Sequence, residues 1–275
     1  MKRLFEGFKD IDTPDMKYYA FDWDDNIVSM PTKIILKNED GDEVGMGTED
    51  FAEYRTKIGK DPFKYKGDVI VNFAEDPFRN FGTKGDKQFL IDAMKAKEAP
   101  AFSDFKEAIN NGSIFSIITA RGHSPKTLRT GVYNYITTGF GGIDKKQLLK
   151  NLKKFRDFTD QEDMSDKDLI ENYLDLCKFY PVSYQNEQGA KNPEEAKVMA
   201  MDEFVSYIKE LSSELNKKAF LKKDIGNKFL PTEPSIGFSD DDIRNVEVMN
   251  RHFNNKADNI VKTYSTSGGI KKRMN

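Results

Sequence analysis

Apolar positions recur along this chain with two periods. Short runs rich in aromatic and β-branched residues read as strands: Tyr18 to Asp22, Lys33 to Lys37, Glu43 to Met46, Asp68 to Phe73, Ser113 to Ile118 and Ser235 to Phe238. The second and third are joined by Asn38-Glu39-Asp40-Gly41 and predict a hairpin. Helical spacing predicts helices over Phe51 to Lys57, Gln88 to Lys97, Ser103 to Asn111 with Ser103 as N-cap, and Pro125 to Thr137. Residues 144–180 read as largely helical, with Asp-rich breaks at 157–168. A long helix starts at Asn192-Pro193-Glu194-Glu195, with Asn at the cap, Pro at the first position and acids in the first turn. It runs to about Leu215, and Val198, Met201, Phe204, Val205, Ile208 and Leu211 form its apolar stripe. Residues 74–88 read as a loop, and the chain from Thr263 reads as a mobile, basic end. Strands alternating with helices predict an α/β sandwich around a mainly parallel sheet.

Composition narrows the class. The chain has 275 residues, enough for one large domain or a core with insertions. Charged residues make up 32% and the mean hydropathy is -0.69, as expected of a soluble protein. No apolar run approaches the roughly 20 residues that span a bilayer, so no membrane association is expected. The N-terminus lacks the apolar stretch of a secretory signal. Cys177 is the single cysteine, so an internal disulfide is impossible. Its apolar setting (Tyr173, Leu174, Leu176, Phe179) predicts a plain buried thiol, and a reducing, cytoplasmic compartment is expected. Two histidines and one cysteine leave little material for a zinc site. The net charge of -3 speaks against a general nucleic-acid coat but permits a local basic groove.

The candidate chemistry lies where apolar runs end. Tyr18-Tyr19-Ala20-Phe21 is followed by Asp22-Trp23-Asp24-Asp25-Asn26. Buried carboxylates repel one another and are costly to desolvate unless a cation or donors meet them. A hard divalent ion with oxygen ligands, Mg²⁺ above all, is the simplest remedy. Asp22 and Asp24 are expected to face one ion together. Two further polar clusters follow apolar strands, Thr119-Ala120-Arg121-Gly122 and Asp240-Asp241-Asp242-Ile243-Arg244-Asn245. In parallel α/β sheets, ligands bind beyond the carboxyl ends of strands.

In their order and placement these three clusters, with a lysine before the last, resemble the haloacid dehalogenase (HAD) superfamily. The resemblance covers roughly residues 16–30 and 100–252. It implies a Rossmann-like core, three-layer α/β/α, and Mg²⁺-dependent hydrolysis of a phosphomonoester. Asp22 would be the nucleophile, forming an aspartyl-phosphate. Asp24 would be the general acid and base. Thr119 would hold a phosphoryl oxygen, and Lys197, with Lys191 as the alternate, would balance charge. Asp22, Asp24, Asp240 and Asp241 would bind the metal, Asp24 through its backbone carbonyl. Asn26 stands where the family commonly has Thr and could donate to substrate in its place. Arg121 and His123 are candidates for substrate phosphate, and each reads alternatively as a surface or capping residue. Asp242 reads as a helix cap. Trp23 reads as core or as a wall of the site.

The interval from Asp24 to Thr119 exceeds what one crossover needs. The implied organisation is a core of residues 1–30 and 99–255, with a helical insertion at about 140–190. A cap-like insertion would occupy 31–98, and a basic, flexible tail 256–275. Phe63, Tyr65, Phe73, Phe78 and Phe81 would line a pocket or build the insert's own small core. Lys57, Lys60, Lys64, Lys66 and Arg79 would attract an anion or form a solvated face. The expected substrate is a phosphorylated small molecule or a nucleotide or nucleic-acid end. The alternative is a binding or assembly module that keeps the metal site with little turnover.

Overall fold

Residues 16–159, 161–184, 190–221 and 233–274 are described by the computed structural model of the chain. In chain order, β1 (Met16–Phe21) turns into the short β2 (Val28–Ser29). The hairpin β3 (Ile34–Asn38) and β4 (Glu43–Met46) follows, then α1 (Thr48–Tyr54), β5 (Phe63–Tyr65) and β6 (Asp68–Phe73). Next come α2 (Asp86–Ala93), β7 (Lys97–Glu98), α3 (Phe102–Asn111), β8 (Phe115–Thr119) and α4 (Pro125–Thr138). Then α5 (Lys145–Phe158), α6 (Asp166–Leu176), β9 (Lys178–Pro181) and α7 (Pro193–Leu221). The last elements are β10 (Pro234–Asp240), α8 (Ile243–Asn254), β11 (Val261–Ser265) and β12 (Lys272–Arg273).

The main sheet has the order β12-β11-β10-β1-β8-β9. It is parallel except at β12, which pairs antiparallel with β11. Side chains of β1 alternate between two cores, as a strand covered on both faces must. Phe21, with Phe115 and Ile117 of β8, packs among residues of α2 to α6. Tyr18 and Ala20, with Ile118, Ile236 and Phe238, pack among residues of α7 and α8. From β1 the chain builds outward through β8 and β9, then returns to lay β10 on the other side of β1. The crevice between the carboxyl ends of β1 and β10 is thus a topological switch point, where such sheets bind ligands.

Residues 34–73 form a second sheet, β4-β3-β6-β5, antiparallel throughout. It has its own small core of Ile34, Leu36, Met46, Ile58, Tyr65 and Ile70, with Phe63, Phe73 and Phe81 packed against it. Phe78 is 42% exposed, and its ring packs against Phe51, Phe73 and Phe81. Two of the insert's cations are tied on the surface, Arg79 to Glu43 and Lys66 to Asp50.

Several expectations need correction. The chain beyond 256 is no loose tail through residue 274. Val261, Thr263 and Ser265 are buried, β11 extends the main sheet, and Lys271 pairs with Asp104 of α3. The alternation Val-Lys-Thr-Tyr-Ser carries a strand period that a basic, Gly- and Ser-rich context masks. Residues 140–190 are not wholly helical, because β9 closes the sheet's other edge. Ser103 does not cap α3; the cap position is Ala101, which makes no side-chain bond. The expected loop at 74–88 already contains the first turn of α2, which begins at Asp86. No described helix is long and apolar enough to cross a membrane.

Candidate metal and phosphoryl site

β1 and β10 run side by side, with Phe21 level with Ser239. The Asp22 amide donates to the Ser239 carbonyl at 2.9 Å, so Asp22 and Asp240 emerge together. One carboxylate oxygen from each of Asp22, Asp240 and Asp241 lies within 4.8 Å of the others. Both Asp22 and Asp240 are buried, at 5% and 0% exposure. Lys197, in the second turn of α7, reaches between them. Its Nζ donates to Asp22 Oδ1 at 2.9 Å and to Asp240 Oδ2 at 2.7 Å. Lys191 is exposed; its backbone N–H donates to Glu195 at the start of α7. The apolar stripe of α7 buries one face, and Lys197 stands beside Val198 and Met201 of that face.

Asp240 is held by four hydrogen bonds from three partners. Asn245 donates to both its oxygens at 3.0 and 3.1 Å, the Asp242 amide to Oδ1 at 2.9 Å, and Lys197 to Oδ2. Its acceptor sites are thereby used. Asp22 Oδ2 and the Asp241 carboxylate accept no hydrogen bond among the described residues. Asn245, quoted in the motif but given no role, is therefore a positioning residue that the sequence alone did not reveal.

One cation for three carboxylates leaves the cluster short of positive charge. Burial pushes Asp22 up to about 8, with the charges of Asp240 and Asp24 adding to it and Lys197 opposing. Burial likewise lifts Asp241 to about 9, helped by Asp240 and Asp22. Burial alone would push Lys197 down, but Asp22 and Asp240 override it and hold the ammonium above its ordinary value. Carboxylate oxygens from two strand ends, two of them with acceptor capacity to spare, fit a hard cation in both donor type and charge.

The Asp24 carboxylate is elsewhere. The fork of Arg121 binds it with Nε to Oδ2 and Nη2 to Oδ1, each at 2.7 Å. The third nitrogen, Nη1, lies 3.2 Å from His123 Nε2. Since Arg can only donate, His123 Nε2 accepts, and the imidazole proton sits on Nδ1, 2.9 Å from Asp86 Oδ1. Burial first, then the Arg121 charge, lowers the His123 pKa and keeps the ring neutral. Arg121 is 2% exposed and lies over the rings of Phe81 and Phe89 at 4.6 and 5.2 Å. Two expectations are corrected here. Asp24 does not share the carboxylate cluster, and Arg121 is no surface or capping residue; its donors are engaged by Asp24 and His123.

Asn26 is corrected as well. It is fully buried, and its amide donates to the Asp22 and Ser239 carbonyls and to Ser239 Oγ at 3.0–3.1 Å. Its oxygen accepts from Thr266 at 2.9 Å. The side chain is consumed in fastening β1 to β10, which leaves nothing for substrate. Thr119 ends β8, buried, its hydroxyl oxygen accepting from the Arg121 amide at 3.3 Å. Trp23 is core, stacked on Tyr135. Asp242 caps α8, as expected, by accepting from the Arg244 amide. Asp25 adopts the left-handed conformation at φ 52° and is held by Ser29 and Thr48, so it makes the turn after β1.

The segment 34–85 reaches this mouth. Arg55, just beyond α1, lies 3.7 Å from both Asp242 and Glu194, and Phe81 covers Arg121. Beside Asp241 opens a cavity of about 580 Å³, with Asp25, Glu49, Glu98, Asp242 and Arg244 in its walls. Arg244 is already paired with Asp242, so the cavity is acidic. Comparison with known proteins adds no identification: no family model, no curated protein and no solved structure matches the chain.

Proposed function

We propose that this chain is a phosphomonoester hydrolase of the HAD type, with Mg²⁺ held by Asp22 and Asp241 beside Asp240. The observation that carries the reading is Lys197 bridging Asp22 and Asp240 with Asp241 alongside, at the switch point of a parallel sheet. A nucleophilic carboxylate can approach an anionic phosphate only where cations cancel the repulsion. Bound Mg²⁺ would supply that cancellation. Asp22 would attack phosphorus, forming an acyl phosphate as the ester oxygen leaves, and water would then release phosphate. Lys197 holds Asp22 in place, and Thr119, at the neighbouring strand end, would orient a phosphoryl oxygen. The segment that brings Arg55 and Phe81 to the mouth would act as a cap over it, placing the core within a Rossmann-like HAD architecture. The acidic cavity favours a small phosphomonoester with a neutral or cationic leaving group over a polyanionic one.

A second reading is favoured by one observation. Asp24 would have to leave the two-point grip of the Arg121 fork before its carboxyl could reach a leaving oxygen. A metal-binding module with little turnover therefore stands beside the enzyme. Phosphate release from p-nitrophenyl phosphate, with and without Mg²⁺, separates the two. Mg²⁺-dependent release that disappears in Asp22→Asn supports the hydrolase. Thermal stabilisation by Mg²⁺ without release supports the module. If Mg²⁺ neither stabilises the protein nor supports release, both readings fall.

A further inference from the structure

The face of the main sheet that carries Phe21 is covered by α2 to α6 over β1, β8 and β9. The helices packed on β10 and β11 are α7 and α8, on the opposite face. Among the described residues, the face of β10 opposite α7 and α8 carries a trough of about 230 Å³. Strand register explains its shape. Lys17 is level with Ser235, Tyr19 with Gly237 and Lys262, and Phe21 with Ser239 and Tyr264. Residues paired across parallel strands point to the same face, and the alternate set of Tyr18, Ile236, Phe238 and Val261 is buried beneath. β10 thus provides a floor of Ser235, Gly237 and Ser239, which have little side chain. The flanking strands, about 10 Å apart, raise Tyr19, whose ring stacks on Phe21 of the same strand, on one side and Tyr264 on the other. The Tyr264 ring leans inward, since a Cβ at Gly237 would touch it at 3.5 Å.

The rim is basic. Lys17 and Lys262 flank the floor, and Lys271 lies 4.5 Å from the Tyr264 ring centre. Lys271 also pairs at 2.7 Å with Asp104, a carboxylate in the wall of the trough. On the adjoining strand, Lys272 and Arg273 are exposed, and Arg273 is level with Tyr264. A tyrosine ring leaning over the floor, hydroxyls and backbone beneath it, and a lysine rim match a base with its flanking phosphates. A protein partner would be expected to need a broader apolar face than this trough offers.

We propose that this trough binds single-stranded nucleic acid, with a base stacked against Tyr264 and phosphates meeting the lysines of the rim. None of the clustered carboxylates lines it, so the proposal stands apart from the hydrolase reading. The test uses the full chain in EDTA, which removes any metal-dependent contact. Fluorescence anisotropy follows labelled oligothymidine and oligouridine, a duplex of equal length, and inorganic polyphosphate as competitor. The expected result is single-strand binding that weakens with salt and is poorly displaced by polyphosphate. The double variant Lys17→Gln, Lys262→Gln should weaken it at least about ten-fold and flatten the logarithmic salt slope by about 1.4. Tyr264→Leu should weaken it about ten-fold with the slope unchanged. The proposal is overturned by absent binding at low salt, by equal binding of duplex or polyphosphate, or by a lysine pair variant that binds like wild type. Should Tyr264→Leu disturb folding by circular dichroism, the lysine pair alone decides.

Discussion

Lys197 is the residue on which the site's electrostatics turn. It is one buried ammonium facing two buried carboxylates, with a third close by. Removing one partner of such a group leaves uncompensated charge, typically at a cost of about 3–5 kcal/mol. Lys197→Met should lower the unfolding free energy by that order in urea titrations, and a divalent cation should restore part of it. Asp22 and Asp241 set the pH response. Both have folded pKa values raised by burial, to about 8 and about 9, above the unfolded value of about 4. The folded state therefore binds more protons between those limits. The stabilisation is fully present below pH about 4 and is lost as pH rises through about 8 to 9. In EDTA, wild type should lose stability from pH 5 to 9, and Asp241→Asn should lose less; parallel curves would refute the assignment. Asp22, Asp240 and Lys197 were legible in sequence, because acids just past an apolar strand have few purposes. The destination of Asp24 was not, since its partner Arg121 lies 97 positions away and only folding brings them together.

Among the elements, helices were read more securely than strands. α4 shows why: Ser124 and Pro125 mark its start locally, and the Ser124 hydroxyl accepts from the Thr127 amide at 3.1 Å. Ser124→Ala should cost about 1 kcal/mol, measurable as a lower thermal midpoint, and Ser124→Asp should largely preserve stability. β5, β9 and β11 escaped the reading for a shared reason. Each is short and partly polar, and becomes a strand through its neighbours: β9 against β8, β11 against β10, β5 against β6. Cross-strand pairing and burial, rather than local propensity, fix such segments. Asn26 follows the same logic. As an isolated residue it looks like a substitute donor; between β1 and β10 it is a fastener.

For the molecule as a whole, the C-terminal strands are part of the architecture. β11 covers the edge of β10 with buried Val261 and Thr263, next to the strand that delivers Asp240. Ending the chain after residue 255 should expose that edge and abolish cooperative unfolding, or drive aggregation, as seen by calorimetry and light scattering. A shortened protein that unfolds cooperatively at the wild-type temperature would refute this. The α/β class with a mainly parallel sheet followed from the alternation of strands and helices, because periodicity is written locally. So did the three strand-end clusters and the long helix bearing Lys197. What folding alone decided is how those pieces meet. The return of the chain to set β10 beside β1 gathers Asp22, Asp240 and Asp241. The same packing turns Asp24 toward Arg121 and raises the basic trough across three strands. Such contacts join positions scores or hundreds of residues apart, and their energies depend on burial and on shared neighbours that no stretch of sequence contains by itself.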